Sequence, residues 1–520
     1  MKRIKPSITK IFLIFLIIFY STFWFYLAEK TSIEFDETTH SLLAIFYKDL
    51  IKYSISHLNF KEIYDYAYSY LVYYPKLSVY YPPLIHLTIA FVFSFFNPSF
   101  LLARCVIIIF SVLFILLIFK FSKFILKNEK TALLTAILFC SSPMTIYLSR
   151  GVYLDLPLAF FFTLAIFLYL VALETNKKKY YFFASLISAL GFLVKWFFIL
   201  ALPIIFFYTL LEHKRKLKFL LISFILFSFL ISPYVFLLLK MDLISFQYKS
   251  AIPLGTGGMP GVTDFFNWVF YPYVINKHYF VFPLSLILLF SVYKYWRNKK
   301  PYWKLMLVWI VFLYLFLSLF PNKDSKYFFI AIAPFCIITA DFLSEHIKKI
   351  LSFILIGTLL IINSLVSFNI IPFHKLESLY GKPSYALQFY KTYGKEISDF
   401  IISNPYPTYF ASETSRALPS ETMFYLASQG KFIKILRPCA GDFDINKTLY
   451  ETGVKWVIYD TKDKNNSYIL KLKEKNLVTL ERNIDEIEIY RYNFFNPNLK
   501  ENCNIVCLIE EKVCEKVKLS

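Results

Sequence analysis

Residues 11–28 read IFLIFLIIFYSTFWFYLA, an uncharged apolar run preceded by Lys2, Arg3, Lys5 and Lys10. A helix needs about 20 apolar residues, at about 1.5 Å each, to cross a hydrocarbon core. A secretory leader has the same basic start. This run, however, is long, lacks a small-residue cleavage site and is followed by many more, so it is read as an uncleaved first span. Further apolar runs lie at 101–121, 131–148, 156–173, 181–195, 197–211, 219–239, 279–293, 305–320, 328–344 and 350–368, for about eleven spans. Composition agrees: the 520 residues are 58% hydrophobic, 21% aromatic and 18% charged, with a mean hydropathy of +0.54. An ordinary soluble protein, a disordered chain, collagen and a coiled coil are excluded.

The net charge of +21 could signal nucleic acid, anionic lipid or topology. Its location decides. Pro372–Ser520 holds 21 basic against 19 acidic residues, so nearly all the excess sits in the apolar part. With the N-terminus in the cytoplasm and an odd number of spans, the inner connections carry 22 basic residues. The short outer ones carry Arg150, Lys195, Lys240, Lys249, Lys277, Lys323 and Lys326. That is a positive-inside bias, not a nucleic-acid footprint. Counting Pro83–Phe96 as a span would turn every later basic loop outward, so it is read as a juxtamembrane or re-entrant helix.

The fold class expected is therefore a polytopic α-helical membrane protein with a large first outer loop, Glu29–Phe100, carrying juxtamembrane helices, plus a small C-terminal α/β extracytoplasmic domain. The domains are 1–371 and 372–520. Strand-like runs lie at 408–411, 431–436, 454–459, 477–480 and 487–492, and the sequons Asn446-Lys447-Thr448 and Asn465-Asn466-Ser467 agree with an outside location. Cys439, Cys503, Cys507 and Cys514 also lie there, where a disulfide is possible; Cys105, Cys140 and Cys336 read as packed span residues. No zinc cluster and no internal repeat is visible. Function is expected where the first outer loop and the C-terminal domain meet.

The chemistry-bearing residues gather on that side. Asp36 and Glu37 are adjacent carboxylates just beyond the first span, ahead of a helical pattern in which Leu42, Leu43, Ile45, Phe46, Leu50 and Ile51 alternate with Lys48, Asp49 and Lys52. One reading makes Asp36 the N-cap of a surface amphipathic helix, with Glu37 in its first turn. The other makes Asp36 a general base, and the two are compatible. Tyr80-Tyr81-Pro82-Pro83-Leu84-Ile85-His86 fixes the chain direction before the re-entrant segment. His86 there is a packed residue or a catalyst. Arg150 and Asp155 share a span boundary, either as a loop-closing ion pair or with Arg150 on a lipid phosphate and Asp155 on a sugar hydroxyl. Lys195 is a lone charge within long apolar runs, either a lysine near a span end snorkelling to the interface or a functional candidate by position. Lys323, Lys326 and Tyr327 suit a phosphate and its sugar, or are the solvated charges of a loop. Gly255–Gly261 lacks the Lys-Ser/Thr of a phosphate loop and reads as a flexible loop or a lid.

Taken in order, Asp36-Glu37, Pro82-Pro83-Leu84, Arg150 with Asp155, Gly191 with Lys195, and Lys323–Tyr327 with Pro334 resemble the polytopic glycosyltransferases of the C superfamily. The likeness is to the protein O-mannosyltransferase and lipid A aminoarabinose transferase group (glycosyltransferase family 39-like) over residues 1 to about 345. The resemblance implies a polyprenyl-phosphate sugar donor and Asp36 as base or essential carboxylate supported by Glu37. It also implies Arg150, Lys195, Lys323 and Lys326 as holders of the lipid phosphate. The acceptor would be a protein, lipid or glycan, with membrane lipids around the chain and no nucleic acid. Some aminoarabinose transferases use a Glu-Lys pair near a metal where this chain has Tyr81 and Pro82, so a divalent metal is not supported and no cofactor is assigned. A cation in a poorly hydrated site stabilises a leaving phosphate, and direct attack opposite it would invert the anomeric carbon. The rival readings are a multi-pass transporter or lipid flippase, which predicts charges deep in several spans and paired repeats, and a receptor-like binding protein.

Overall fold

The computed structural model describes residues 8–73, 81–240, 265–280, 284–320, 323–346, 392–404, 408–411, 419–431, 434–436, 455–460, 472–485 and 487–493. Lys2, Arg3 and Lys5, the 255–261 loop, the run at 350–368, both sequons and Cys439, Cys503, Cys507 and Cys514 lie outside the described residues.

In chain order the first helices are α1 (Ile8–Lys30), α2 (Phe35–Ser56), α3 (Phe60–Tyr73), α4 (Leu84–Phe93), α5 (Phe100–Leu126), α6 (Glu129–Ser141), α7 (Pro143–Ser149), α8 (Asp155–Thr175) and α9 (Lys178–Phe192). There follow α10 (Ala201–Glu212), α11 (Leu217–Lys240), α12 (Phe265–Val274), α13 (Leu284–Arg297), α14 (Trp303–Leu319), α15 (Ile332–His346), α16 (Gly394–Ser403) and α17 (Pro419–Ser428). The strands are β1 (Thr408–Ala411), β2 (Lys434–Leu436), β3 (Trp456–Asp460), β4 (Val478–Ile484) and β5 (Ile487–Tyr492).

Among the described residues, five helical segments are long and apolar enough to cross a membrane: Ile8–Lys30, Phe100–Leu126, Asp155–Thr175, Lys214–Leu239 and Ser325–His346. Counting each of two bent pairs as one span gives up to seven. The protein is a polytopic helical membrane protein. The shortfall against eleven apolar runs has a physical cause. The run at 131–148 is broken at Ser142-Pro143 into α6 and α7, bent by 66°, because Pro143 takes the first-turn position where its missing N–H costs nothing. The run at 197–211 starts as a 3-10 turn over Trp196–Leu200, and the one at 279–293 opens at the end of a π-helical turn, Ile275–Tyr279, and continues in α13. At 15 and 17 residues, α9 and α14 are about 22 and 25 Å long, short of a core about 30 Å thick. At about 1.5 Å per residue, α4 is only about 15 Å long, too short to span.

The chain forms two compact units. The first comprises Met1–Lys30, Tyr80–Ile85 and Arg104–Gln388; the second comprises Thr31–Val79, His86–Ala103 and Phe389–Ser520. The first outer loop thus shares a unit with the C-terminal residues. In the first unit, α8 turns into α9 through Asn176, a left-handed C-cap (φ 55°) that an asparagine tolerates. The α9–α11 seam is polar: Ser185 Oγ donates to the Ser223 carbonyl at 3.0 Å and Ser223 Oγ to Tyr169 Oη at 3.0 Å. Such bonds hold apolar helices together where water exclusion cannot. Outward, Phe15, Ile18, Ile225 and Phe229 are exposed, as lipid-facing positions would be.

In the second unit the strands form one sheet in the order β2-β1-β3-β5-β4. Strand β1 pairs parallel with β2 and β3, and β5 pairs antiparallel with β3 and β4. Helix α17 packs on α2 and α16 on α17. Glu37–Phe46 of α2 is buried throughout, so the first half of this helix does not lie on a surface as its periodicity suggests, whereas Ile51 and Ile55 in its second half are exposed. Gly394 opens α16 because a side chain there would collide: a Cβ would stand 2.5 Å from Cγ and Cδ of the buried Glu421. Gly394→Ala is expected to cost about 1–3 kcal/mol, read as a lower thermal midpoint of the purified protein.

Candidate functional site

Five of the candidates in the first unit lie in two aromatic clusters, one about Phe197 and Tyr327 and one about Tyr147 and Tyr153, linked along the chain at Lys326-Tyr327. Asp155 is the first residue of α8, and its Oδ1 accepts a hydrogen bond from Lys195 Nζ at 2.6 Å, with side chains 5% and 14% exposed. Asp155 therefore pairs with a lysine forty positions away rather than with Arg150. Lys195 precedes the 3-10 turn at Trp196, and its ammonium sits 5.0 Å from the ring centroid of Tyr327 and 5.8 Å from that of Phe197. The Lys326 ammonium lies 5.7 Å from the Tyr153 ring, whose hydroxyl meets that of Tyr147 at 2.7 Å. The fully buried Arg150 guanidinium covers the Tyr147 ring at 4.6 Å. Aromatic faces thus hold three cations in a water-poor region, where their attraction for an anion exceeds its value in bulk water.

Two features set this geometry. Leu84 N–H donates to the Leu193 carbonyl at 2.9 Å, tying the Pro82-Pro83 segment to the turn that carries Lys195. Gly191 admits the buried Phe198 ring, which a Cβ would meet at 2.2 Å. Gly191→Ala is expected to displace that ring and cost about 1–3 kcal/mol, measurable as a lower thermal midpoint. Lys323 plays a different part, since its ammonium donates to the carbonyls of Leu317, Ser318 and Phe320 at 2.7, 2.6 and 2.7 Å and so closes the C-terminal end of α14. An ammonium has three donors, so these bonds occupy the group.

The second unit holds the carboxylates. The N-cap of α2 is Glu34, not Asp36 as the cap reading expected, and Asp36 lies inside the first turn. Glu34 and Glu37 form a reciprocal capping box, with Glu34 N–H donating to Glu37 Oε2 at 3.4 Å. The box fixes the turn that presents the half-buried Asp36. One turn on, His40 Nδ1 meets His86 Nε2 at 3.0 Å, and both rings are buried. His86 is thus a paired residue of the core. Among the described residues no group of three or more His, Cys, Asp or Glu could hold a metal.

Glu421 on α17 also belongs to this surround. Its Oε1 accepts from Thr392 Oγ1 at 2.9 Å, and burial pushes the carboxyl up to about 8, with Glu396 and Glu37 adding to the rise. A glutamate in the unfolded chain loses its proton near 4.5, so the folded state holds an extra proton between about pH 4.5 and 8. Stability should fall across that window as pH rises, by up to about 1.4 kcal/mol per unit from this group. Glu421→Gln should flatten the dependence in a thermal-midpoint series. His40 was legible, one helical turn from Asp36; nothing local marks Glu421.

Residues 81–237 match the family described as dolichyl-phosphate-mannose-protein mannosyltransferase. A protein of Aquifex aeolicus (strain VF5), described only as uncharacterized, is 27% identical over 295 residues, 55% of this chain and 58% of that one. The chain therefore matches little more than half the length of this curated relative. The fold is that of ArnT from Cupriavidus metallidurans. The crystal structure bound to undecaprenyl phosphate superposes with a TM-score of 0.63 at 11% identity, covering 94% of this chain and 99% of that one. The apo structure gives 0.64 at 12% identity, covering 93% and 98%. The sequence likeness is thus to the mannosyltransferase family over residues 81–237, and the likeness to ArnT is one of fold.

Proposed function

We propose, from that likeness, that the protein is a membrane glycosyltransferase moving one sugar from a polyprenyl-phosphate carrier to a protein, lipid or glycan acceptor at the extracytoplasmic face. The observation that carries the reading is the patch of Arg150, Lys195 and Lys326 on aromatic faces, in a chain with the fold of an enzyme crystallised with undecaprenyl phosphate. In this reading these cations take the carrier phosphate, Tyr327 and Asp155 line the sugar side, and Lys323 acts by holding the end of α14. Asp36 accepts the acceptor proton as the new glycosidic bond forms. The bond from the anomeric carbon to the phosphate oxygen breaks on the opposite side, with inversion, and the phosphate leaves with the electron pair. About eleven spans, a cytoplasmic N-terminus and an outside domain over 372–520 complete the proposal.

The test is mass spectrometry of purified protein incubated with a panel of polyprenyl-phosphate sugars and candidate acceptors. Loss of sugar from the carrier is expected. A protein that neither consumes nor binds any donor in the panel would overturn the assignment.

A further inference from the structure

A second site lies at the other end of the first unit. The ends of α5, α8 and α10 and the start of α14 enclose a cavity of about 380 Å³. Its walls include the rings of Tyr208, Tyr302 and Trp303 and the charges of Lys127, Glu174 and His213. Glu174 is near the C-terminus of α8 and Asp155 at its N-terminus, so about 30 Å of helix separates this cavity from the patch described above. We propose that it binds the zwitterionic headgroup of an aminophospholipid, the ammonium on Glu174 among the aromatic rings and the phosphate on Lys127.

The charges present favour a ligand of that kind. Glu212, also on the wall, is already paired with Lys304. Glu174 shares the wall with Tyr302, and His213 Nε2 stands 3.9 Å away, outside hydrogen-bond range. Burial and the nearby Lys216 hold the His213 imidazole below its usual range, so at neutral pH it brings Glu174 no charge. The Lys127 ammonium rests 4.4 Å over the Phe124 ring, and among the described residues no carboxylate is within ion-pair range of it. The cavity thus offers one carboxylate and one ammonium between aromatic walls. A purely anionic headgroup would leave Glu174 unmatched, whereas a primary ammonium can donate to the carboxylate and sit against the rings. A quaternary ammonium could only do the latter. Beside the cavity on α10, Phe207 and Leu211 are 44% and 53% exposed, an apolar track for acyl chains. This favours a lipid as the source.

The full chain, delipidated in detergent, would be offered vesicles of phosphatidylethanolamine, phosphatidylglycerol or phosphatidylcholine, and the retained lipid counted by native mass spectrometry. Phosphatidylethanolamine is expected to be retained about tenfold better than the others, and Glu174→Gln or Lys127→Ala to lose that preference. Soluble O-phosphoethanolamine should displace it from the wild type, a measurement that needs no variant. Binding of O-phosphoethanolamine as tight as that of the lipid would support the recognised chemistry and assign it to a soluble source. Equal retention of all three lipids, with no displacement by O-phosphoethanolamine, would overturn the proposal.

Discussion

Asp36→Asn is expected to lower sugar transfer by about a thousandfold while the protein stays folded, since a positioned general base contributes about 10²- to 10⁴-fold. The substitution keeps the shape of the side chain and leaves the Glu34–Glu37 capping box untouched. A favourable charge at a helix start is worth about 0.3–1 kcal/mol, so its loss alone would not unfold the protein. Glu37→Gln supplies the contrast: Glu37 is fully buried and serves the box, so its replacement should act on stability as well as on rate. Turnover of Asp36→Asn within a few-fold of wild type, measured as donor consumption by mass spectrometry, would remove Asp36 from the mechanism.

The second large effect concerns Lys195. Lys195→Ala strands the Asp155 carboxylate, which is only 5% exposed. Removing one partner of a buried ion pair costs about 3–5 kcal/mol, so the single variant should melt early and bind donor poorly. The double variant Lys195→Met/Asp155→Leu separates the two effects. With neither charge left, stability should return toward wild type, while the donor concentration for half-maximal rate stays raised by about tenfold or more. If the double variant recovered normal donor dependence, the pair would be structural only.

Much of this was legible in the sequence. Hydropathy located α1, α5, α8 and α11 because each is one uninterrupted apolar run. It could not see the break at Ser142-Pro143 or the 3-10 start at Trp196, because a bent run and a straight one have the same hydropathy. Each strand of the sheet overlaps a β-like run. Arg150, Lys195 and Lys326 stood out as charges at apolar boundaries, but their partners did not. The Asp155–Lys195 pair joins residues forty positions apart, and Lys323 bonds to carbonyls that leave no mark in a sequence. The cap of α2 was misplaced by two residues because glutamate is an unusual N-cap and Asp36 a favoured type.

Lys323 also offers a way to observe the protein. The residue is 3% exposed and its ammonium donors are occupied, so an acylating reagent can reach it only when the end of α14 opens. In a time course with such a reagent, the rate at Lys323 becomes a clock for that local opening. Run with and without donor, it would report whether engaging the carrier tightens or loosens the neighbouring Lys326 turn.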